Sequence, residues 1–416
     1  MRTSAAKPSG NASRRRGCWL TRAKPGDYLI ALSTAAASIP VVGRHLELLG
    51  GFAALGVGGR DYLPDILLAL SKPRLDADAA QRRRVQRALT PDVLLEALGD
   101  VVTAERLAQP WPSHPNLVPV WKATRQRRYV HASSVRYGDH PRQLLDVWRI
   151  AEPPKRPAPV MVFIPGGAWV FGRRELQGHE LMAHMARRGW ICLSVQYRTS
   201  PHHRWPRQMT DVETAIAWAR EHIDEFGGDP DFITVAGCSA GGHLASLAGL
   251  SANDPEWGTD GGAGTDAAVD AVVSVYGLYD WQDRSTRQRD RFVQFLERIV
   301  VKRSQARHPE VFAAASPIAR VHDSAPPFLV VHGSDDSIIP ASEARSFVDR
   351  LRSVARAKVA YIELPGLGHG FDLVDPRHTA PVVAAIGRFL SQVHDDHVRT
   401  RTTIVAGSTT GSLESV

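Results

Sequence analysis

The chain is poor in cysteine: only Cys18, Cys192 and Cys238 occur among its 416 residues. An odd number at these spacings fits neither a disulfide framework nor a zinc site. A disulfide-stapled secreted domain is thereby excluded, and nothing requires an oxidising compartment. No cluster of His, Cys and Asp has metal-ligand spacing, so neither a metal nor another cofactor is expected. Long apolar runs are also missing. The apolar stretch Tyr28 to Val42 carries Pro40 inside it and is too short to read as a membrane span. It begins late for a signal peptide, behind a long basic leader. No repeat of fixed period is evident. Acid is absent from residues 1–24, which hold Arg2, Lys7, Arg14, Arg15, Arg16, Arg22 and Lys24. That composition reads as a disordered, solvated leader, with a peripheral contact to an anionic membrane surface as the alternative. A nucleic-acid partner is not expected.

What is present is ordinary for a soluble globular protein. Hydrophobic residues make up 43% and charged residues 23% of the chain, with a net charge of +8. The organisation reads as a basic leader over 1–25, a helical cap or extension over 26–125, a catalytic domain over 126–395 and a disordered polar tail over 396–416. Arg82 to Ala108 has helical character, with Thr90 at the N-cap and Pro91 at the first helical position. Trp111 to Lys122 is a proline-punctuated linker.

Beyond Arg128 strands and helices alternate. Tyr129 to Tyr137 and Leu144 to Ile150 open as a strand pair, and Pro159 to Ile164 is apolar enough to be buried on both faces. Leu176 to Arg187 is helical, Trp190 to Tyr197 a strand. Thr210-Asp211-Val212-Glu213 reads as a capping box opening a helix with the stripe Val212, Ile216, Ala219, Ile223 and Phe226. Strands follow at Phe232 to Ala236, Ala271 to Tyr276, Phe328 to His332 and Val359 to Leu364. Helices are expected at Ala240 to Leu250, Ala341 to Arg352 and Ala380 to Val393. Such alternation predicts an α/β fold with a mostly parallel sheet and helices on both faces.

The stretch Thr234 to His243 carries the chemistry. A strand, then Gly237-Cys238-Ser239-Ala240-Gly241, then an Ala/Leu-rich helix together form a sharp turn with Ser239 at its apex. A Cβ at Gly237 or Gly241 would clash with the adjoining strand and helix. The turn lifts Ser239 Oγ clear of the sheet and brings the helix N-terminus to the reacting atom. A serine hydroxyl needs a base, and that base an orienting acid. The base candidate is His369, in the glycine-rich loop Pro365 to Phe371. The acid candidates are Asp335 and Asp336, after the strand Phe328 to His332. Oxyanion donors are expected from the amide of Ala240 and from the loop Pro165 to Gly172, with Gly166, Gly167 and Ala168 its candidates. Trp169, Phe171, Tyr276 and Tyr279 are candidate linings of an acyl pocket, plain core being the alternative.

These motifs resemble the α/β-hydrolase superfamily and, within it, the hormone-sensitive-lipase-like carboxylesterases. The resemblance covers roughly Arg128 to Val393. It rests on Gly-Gly-Ala-Trp at 166–169, Gly-Gly-Asp-Pro at 227–230, Gly-x-Ser-Ala-Gly-Gly-His-Leu-Ala at 237–245, His-Gly-x-x-Asp at 332–336 and Gly-His-Gly-Phe at 368–371. It implies a helical cap, selects Asp336 over Asp335 as the acid, and implies ester hydrolysis through an acyl-enzyme with no metal or cofactor. The substrate would be a small-molecule or lipid ester. Amide or formamide cleavage on the same triad, and a non-catalytic binding module, are the alternatives. The chain departs from the family in two places. Pro165 stands for the histidine of the usual His-Gly-Gly-Gly, and Ala168 for its last glycine. Cys238 stands where an acidic residue commonly precedes the serine. The charged, amphipathic segment near 282–312 sits where the family inserts cap residues. A cytoplasmic location is expected, with membrane or cell-envelope association through the N-terminal region as the variant reading.

Overall fold

The computed structural model describes residues 91–112, 125–175, 177–258, 266–374 and 376–410. The leader, the apolar stretch at 28–42 and most of the expected cap at 26–125 lie outside them.

Eight strands form one sheet: β1 Val130–Arg136, β2 Leu144–Trp148, β3 Ala158–Ile164, β4 Ile191–Gln196, β5 Gly228–Cys238, β6 Ala271–Val275, β7 Phe328–Gly333 and β8 Val359–Leu364. Their order is β1-β2-β4-β3-β5-β6-β7-β8. The pairs β1–β2 and β2–β4 are antiparallel and the rest parallel. From β1 onward the α-helices are α1 His179–Arg187, α2 Arg207–His222, α3 Ala240–Leu250, α4 Arg287–Phe295, α5 Pro309–Ala314, α6 Ala341–Val354, α7 Phe371–Val374 and α8 Pro376–Thr410.

The central strands are apolar throughout because both faces are covered. In β5, Ile233 and Val235 face α2, α3 and α6, packing with Val212, Ala245 and Phe347. Their neighbours Phe232, Ala236 and Cys238 face α1 and α8, packing with Met182, Ile386 and Leu390. The same period of two divides β3 and β7. Each fully buried aliphatic or aromatic side chain contributes about 1.5–3 kcal/mol, so this double core fixes the sheet. Its parallel strands β3, β5, β7 and β8 then present their C-terminal ends together, where ligands gather in open α/β sheets.

Four sequence expectations are corrected. The helix α2 opens at Arg207, not Thr210. Thr210 Oγ1 instead donates to the Trp257 carbonyl (2.5 Å), and Asp211 accepts from Arg198 Nε (2.8 Å) and Gln143 Nε2 (2.9 Å). Tertiary bonds thus take the residues that would have formed the cap. The helix expected at Leu176 begins at His179, after Gly178 in the left-handed region. Helical residues 91–98 end at Gly99, and a short turn, Ala104–Leu107, follows. The tail expected to be disordered from 396 is helical to Thr410, and Arg401 Nη2 pairs with Asp231 Oδ2 at 2.9 Å.

The described part of the N-terminal extension packs on the α1 and α8 flank. Leu94, Leu98, Val101 and Val102 join the core of Leu181, Met185 and Phe389. Buried Arg388 donates to the carbonyls of Arg106 (3.1 Å) and Gln109 (2.9 Å), and its guanidinium lies 3.9 Å from the Trp111 ring centre. The insertion over 282–312 forms α4, a π turn and α5. Gln288 Nε2 reaches the Ser337 carbonyl at 2.5 Å, and Phe292 lies 6.3 Å from Trp169. These contacts set the insertion beside the loops at the strand ends.

Candidate active site

The turn between β5 and α3 holds Ser239 at φ 56°, ψ −122°. A non-glycine residue at such a backbone angle costs of order 1–3 kcal/mol, so the surroundings must hold it there. The Ser239 amide donates to the Val275 carbonyl at 2.9 Å. The two glycines are steric necessities: a Cβ on Gly237 would lie 2.2 Å from the Gly241 carbonyl oxygen, and one on Gly241 2.0 Å from that of Ile164.

Three sequence-predicted residues meet here. His369 Nε2 is 2.9 Å from Ser239 Oγ, and His369 Nδ1 is 2.7 Å from Asp336 Oδ2. The Asp336 side chain is fully buried and that of His369 is 15% exposed. Asp336 Oδ1 accepts the amides of Ile338 and Ile339, both at 2.9 Å. Burial alone would raise its pKa; the facing His369 and the hydrogen bond from His332 instead hold it well below the usual carboxylate range. Asp335 is exposed and accepts from Ser334 Oγ at 3.0 Å. His332 is buried on the far side of Asp336. Its Nε2 donates to the Ile339 carbonyl (3.0 Å) and lies 3.3 Å from Asp336 Oδ2.

The loop at 165–172 is held from a distance. The Tyr197 hydroxyl donates to the Pro165 carbonyl (2.9 Å), and Gln177 Oε1 accepts the Gly166 amide (2.7 Å). Gly166 therefore drops out as an oxyanion donor, because its N–H is already taken. It still supplies clearance, since a Cβ there would sit 2.5 Å from the Cys238 carbonyl oxygen. Among the described residues no hydrogen bond engages the amides of Gly167, Ala168 or Ala240. Gly167, Ala168 and Trp169 all have positive φ, at 118°, 51° and 58°. The loop closes on itself through the Val170 and Phe171 amides, each 2.9 Å from the Gly167 carbonyl.

Trp169 Nε1 donates to His243 Nδ1 (3.3 Å), and His243 Nε2 donates to the Ala315 carbonyl (2.7 Å). The His243 ring stacks on Trp281, 4.6 Å between centres. Burial pushes its pKa down to about 3, so it stays neutral. The pocket expectation is largely corrected. Trp169, Tyr276 and Tyr279 are 0, 2 and 0% exposed. Tyr279 stacks on Phe347 at 4.3 Å inside the core. Phe171 alone of the four is half-buried at the loop surface. Gln177 and Tyr197 were not singled out from the sequence, because neither belongs to a local motif; His243 stands in the motif at 237–245, but its bond to Trp169 leaves no local trace. Among the described residues no group of three His, Cys, Asp or Glu is placed to hold a metal ion.

The sheet order and the serine turn, with an imidazole and a buried carboxylate behind it, define an α/β hydrolase. A family model described as BD-FAE matches residues 145–351. Esterase LipC of Mycobacterium tuberculosis is 56% identical over 90% of this chain and 93% of its own length. The probable carboxylic ester hydrolase LipM of the same organism is 38% identical over 83% and 78%. A truncated carbohydrate esterase from gut microbiota shares the fold, with a TM-score of 0.53 at 22% identity over 64% of this chain and 98% of that one. The chain belongs to this family of carboxylic ester hydrolases. No helix among the described residues is long and apolar enough to cross a membrane.

Proposed function

We propose that Ser239, His369 and Asp336 are nucleophile, base and orienting acid in hydrolysis of uncharged acyl esters. The observation that carries this reading is the unbroken relay from Ser239 Oγ to His369 Nε2 (2.9 Å) and from His369 Nδ1 to Asp336 Oδ2 (2.7 Å). Ser239 Oγ attacks the ester carbonyl carbon while its proton passes to His369 Nε2. Asp336 keeps the Nδ1–H tautomer and stabilises the imidazolium. The oxyanion forms against the amides of Ala240, Gly167 and Ala168, each such donor being worth about 3–4 kcal/mol. The imidazolium returns its proton to the departing alcohol oxygen. Water, deprotonated by the same imidazole, then attacks the acyl carbon, and the imidazolium protonates Ser239 Oγ as the carboxylic acid leaves. Phe171 and the insertion residue Phe292 offer apolar surface for the acyl chain.

The test is a p-nitrophenyl ester series from short to long chains, with an anilide control. Ser239→Ala should lower ester turnover by about 10⁴-fold or more, His369→Ala comparably, and Asp336→Asn strongly, while Asp335→Asn has a mild effect. Full turnover in Ser239→Ala overturns the triad; a larger loss in Asp335→Asn overturns the choice of acid. Anilide cleavage rivalling ester cleavage would make the enzyme an amidase.

The basic leader and the apolar stretch at 28–42 support a peripheral contact with anionic lipid, weakened by salt because exposed charges are screened over about 10 Å at 0.1 M. Absence of co-sedimentation with anionic vesicles at low salt would dismiss it.

A further inference from the structure

Behind the imidazole of His369 lies a polar cluster that the relay does not use. The Tyr276 ring packs 4.7 Å from the His369 ring, centre to centre. Its hydroxyl donates to Asp372 Oδ1, and Cys238 Sγ lies 3.9 Å from Asp372 Oδ2. The three side chains come from three segments that must stay in register for catalysis. Cys238 ends β5 and directly precedes the nucleophile. Tyr276 follows β6, whose last carbonyl, that of Val275, holds the Ser239 amide. Asp372 belongs to α7, on the loop that carries His369.

Tyr276 occupies this place at a backbone cost. Its φ is +39°, unusual for a bulky residue. Its amide donates to the Val331 carbonyl at 2.7 Å. Phe371 packs edge-on against its ring at 5.5 Å. Burial pushes both the Tyr276 phenol and the Cys238 thiol far up, so both remain protonated and act as donors to the carboxylate. The acid that commonly precedes the serine is missing at Cys238. A carboxylate reaches the same neighbourhood from position 372 instead.

We propose that Asp372 is a positioning residue for His369, acting through Tyr276. It ties the histidine loop to the elbow through its contacts with Tyr276 and Cys238. The proposal rests on the reading of Ser239, Asp336 and His369 as the triad. The groups facing His369 are Ser239, Asp336, Tyr276 and, behind the phenol, Asp372. The groups facing Asp372 are Tyr276, Cys238 and the Thr379 hydroxyl, which donates to the Asp372 carbonyl at 3.3 Å. Burial raises the pKa of Asp372, while the hydrogen bond from Tyr276 and the nearby His369 favour its ionised form.

The test uses the full chain with a p-nitrophenyl butyrate assay across pH, alongside thermal melting. Asp372→Asn keeps an acceptor for the phenol but removes the charge; Tyr276→Phe keeps the ring but removes the donor. Both preserve shape, so folding is not at stake. Asp372→Ala should lower kcat by about 10–100-fold, the range expected when a catalytic group is misplaced by an ångström or less, with KM within about twofold. Tyr276→Phe should cost about 10-fold, and the double variant Tyr276→Phe/Asp372→Ala no more than Asp372→Ala alone. In Asp372→Asn the acid limb of kcat/KM should move to lower pH. If kcat stays within twofold in all variants, or only the melting temperature falls while the acid limb stays in place, the cluster is merely core and the proposal fails. Ser239→Ala in the same assay separates the two readings: activity there removes the triad itself, whereas its loss beside normal Asp372 variants removes only this inference.

Discussion

The elbow at 237–241 and the loop at 165–172 touch each other, yet they hold strained backbone by different means. At the elbow the strain falls on Ser239, and steric exclusion leaves only glycine at 237 and 241. The restraint is local and short in sequence. In the loop at 165–172 the strain is spread over Gly167, Ala168 and Trp169, two of which are not glycine. What holds them is remote: Gln177 on Gly166, Tyr197 on Pro165, His243 on Trp169. The contrast shows two routes to one end. A position that only glycine can fill restrains itself, whereas a position that tolerates alanine or tryptophan must be pinned from outside.

The largest effect should come from breaking the local device. Gly241→Ala places a Cβ within 2.0 Å of the Ile164 carbonyl oxygen, backbone that cannot give way like a side chain. Moving the serine by about 1 Å costs about 100-fold in rate, so kcat/KM for p-nitrophenyl butyrate should fall by at least that, or the protein should fail to fold. Activity within tenfold of wild type would show that the elbow relaxes freely. The remote device should break more gently. Gln177→Ala frees the Gly166 amide but leaves the Tyr197 and His243 anchors, so kcat should fall by about 10-fold, short of the about 10²–10³ that follows loss of an oxyanion donor itself. Wild-type kcat in this variant would mean that Gln177 does not pin the loop.

The same contrast decides what was legible in the sequence. Ser239, Asp336 and His369 could be read because each sits at a strand end inside a glycine-marked turn, and their spatial meeting follows from sheet order. The strands were legible for a related reason: runs such as that at Pro159 to Ile164 are apolar on both faces. Gln177, Tyr197 and His243 were not legible, since a hydrogen bond from Trp169 to His243 spans 74 residues and leaves no periodic trace. Gly166 was misjudged as a donor for that reason: its motif is visible and its acceptor is not. Tyr276 and Tyr279 are buried, the core alternative of their reading; the two alternatives stayed open in the sequence because an aromatic residue after a strand looks alike whether it lines a pocket or packs beneath it. The capping box at Thr210 failed in the opposite sense. The local pattern was real, but Trp257, Arg198 and Gln143 claimed its polar groups.

The mildest expected effect is a pH dependence confined to the remote device. His243 bridges Trp169 Nε1 and the Ala315 carbonyl as a neutral ring, with its pKa pushed by burial to about 3. In the unfolded chain it titrates near 6.5. Between those values the unfolded state binds the proton and the folded state does not, so stability falls as pH drops below 6.5. At pH 5 this one histidine should remove about 2 kcal/mol relative to pH 7. His179 and His184 on α1, held down to about 4 and about 3, act with the same sign. Glu213, raised by burial to about 8, acts with the opposite sign: it binds its proton when folded and loses that stabilisation as pH rises through 8. His243→Gln isolates the one contribution, because an amide can accept from Trp169 and donate to Ala315 without titrating in this range. Urea midpoints at pH 7 and pH 5 should then differ less in His243→Gln than in wild type, with α1 and Glu213 contributing equally to both. An unchanged difference would show that the loop is not anchored through a neutral His243, and the division between local and remote restraint would lose its third anchor.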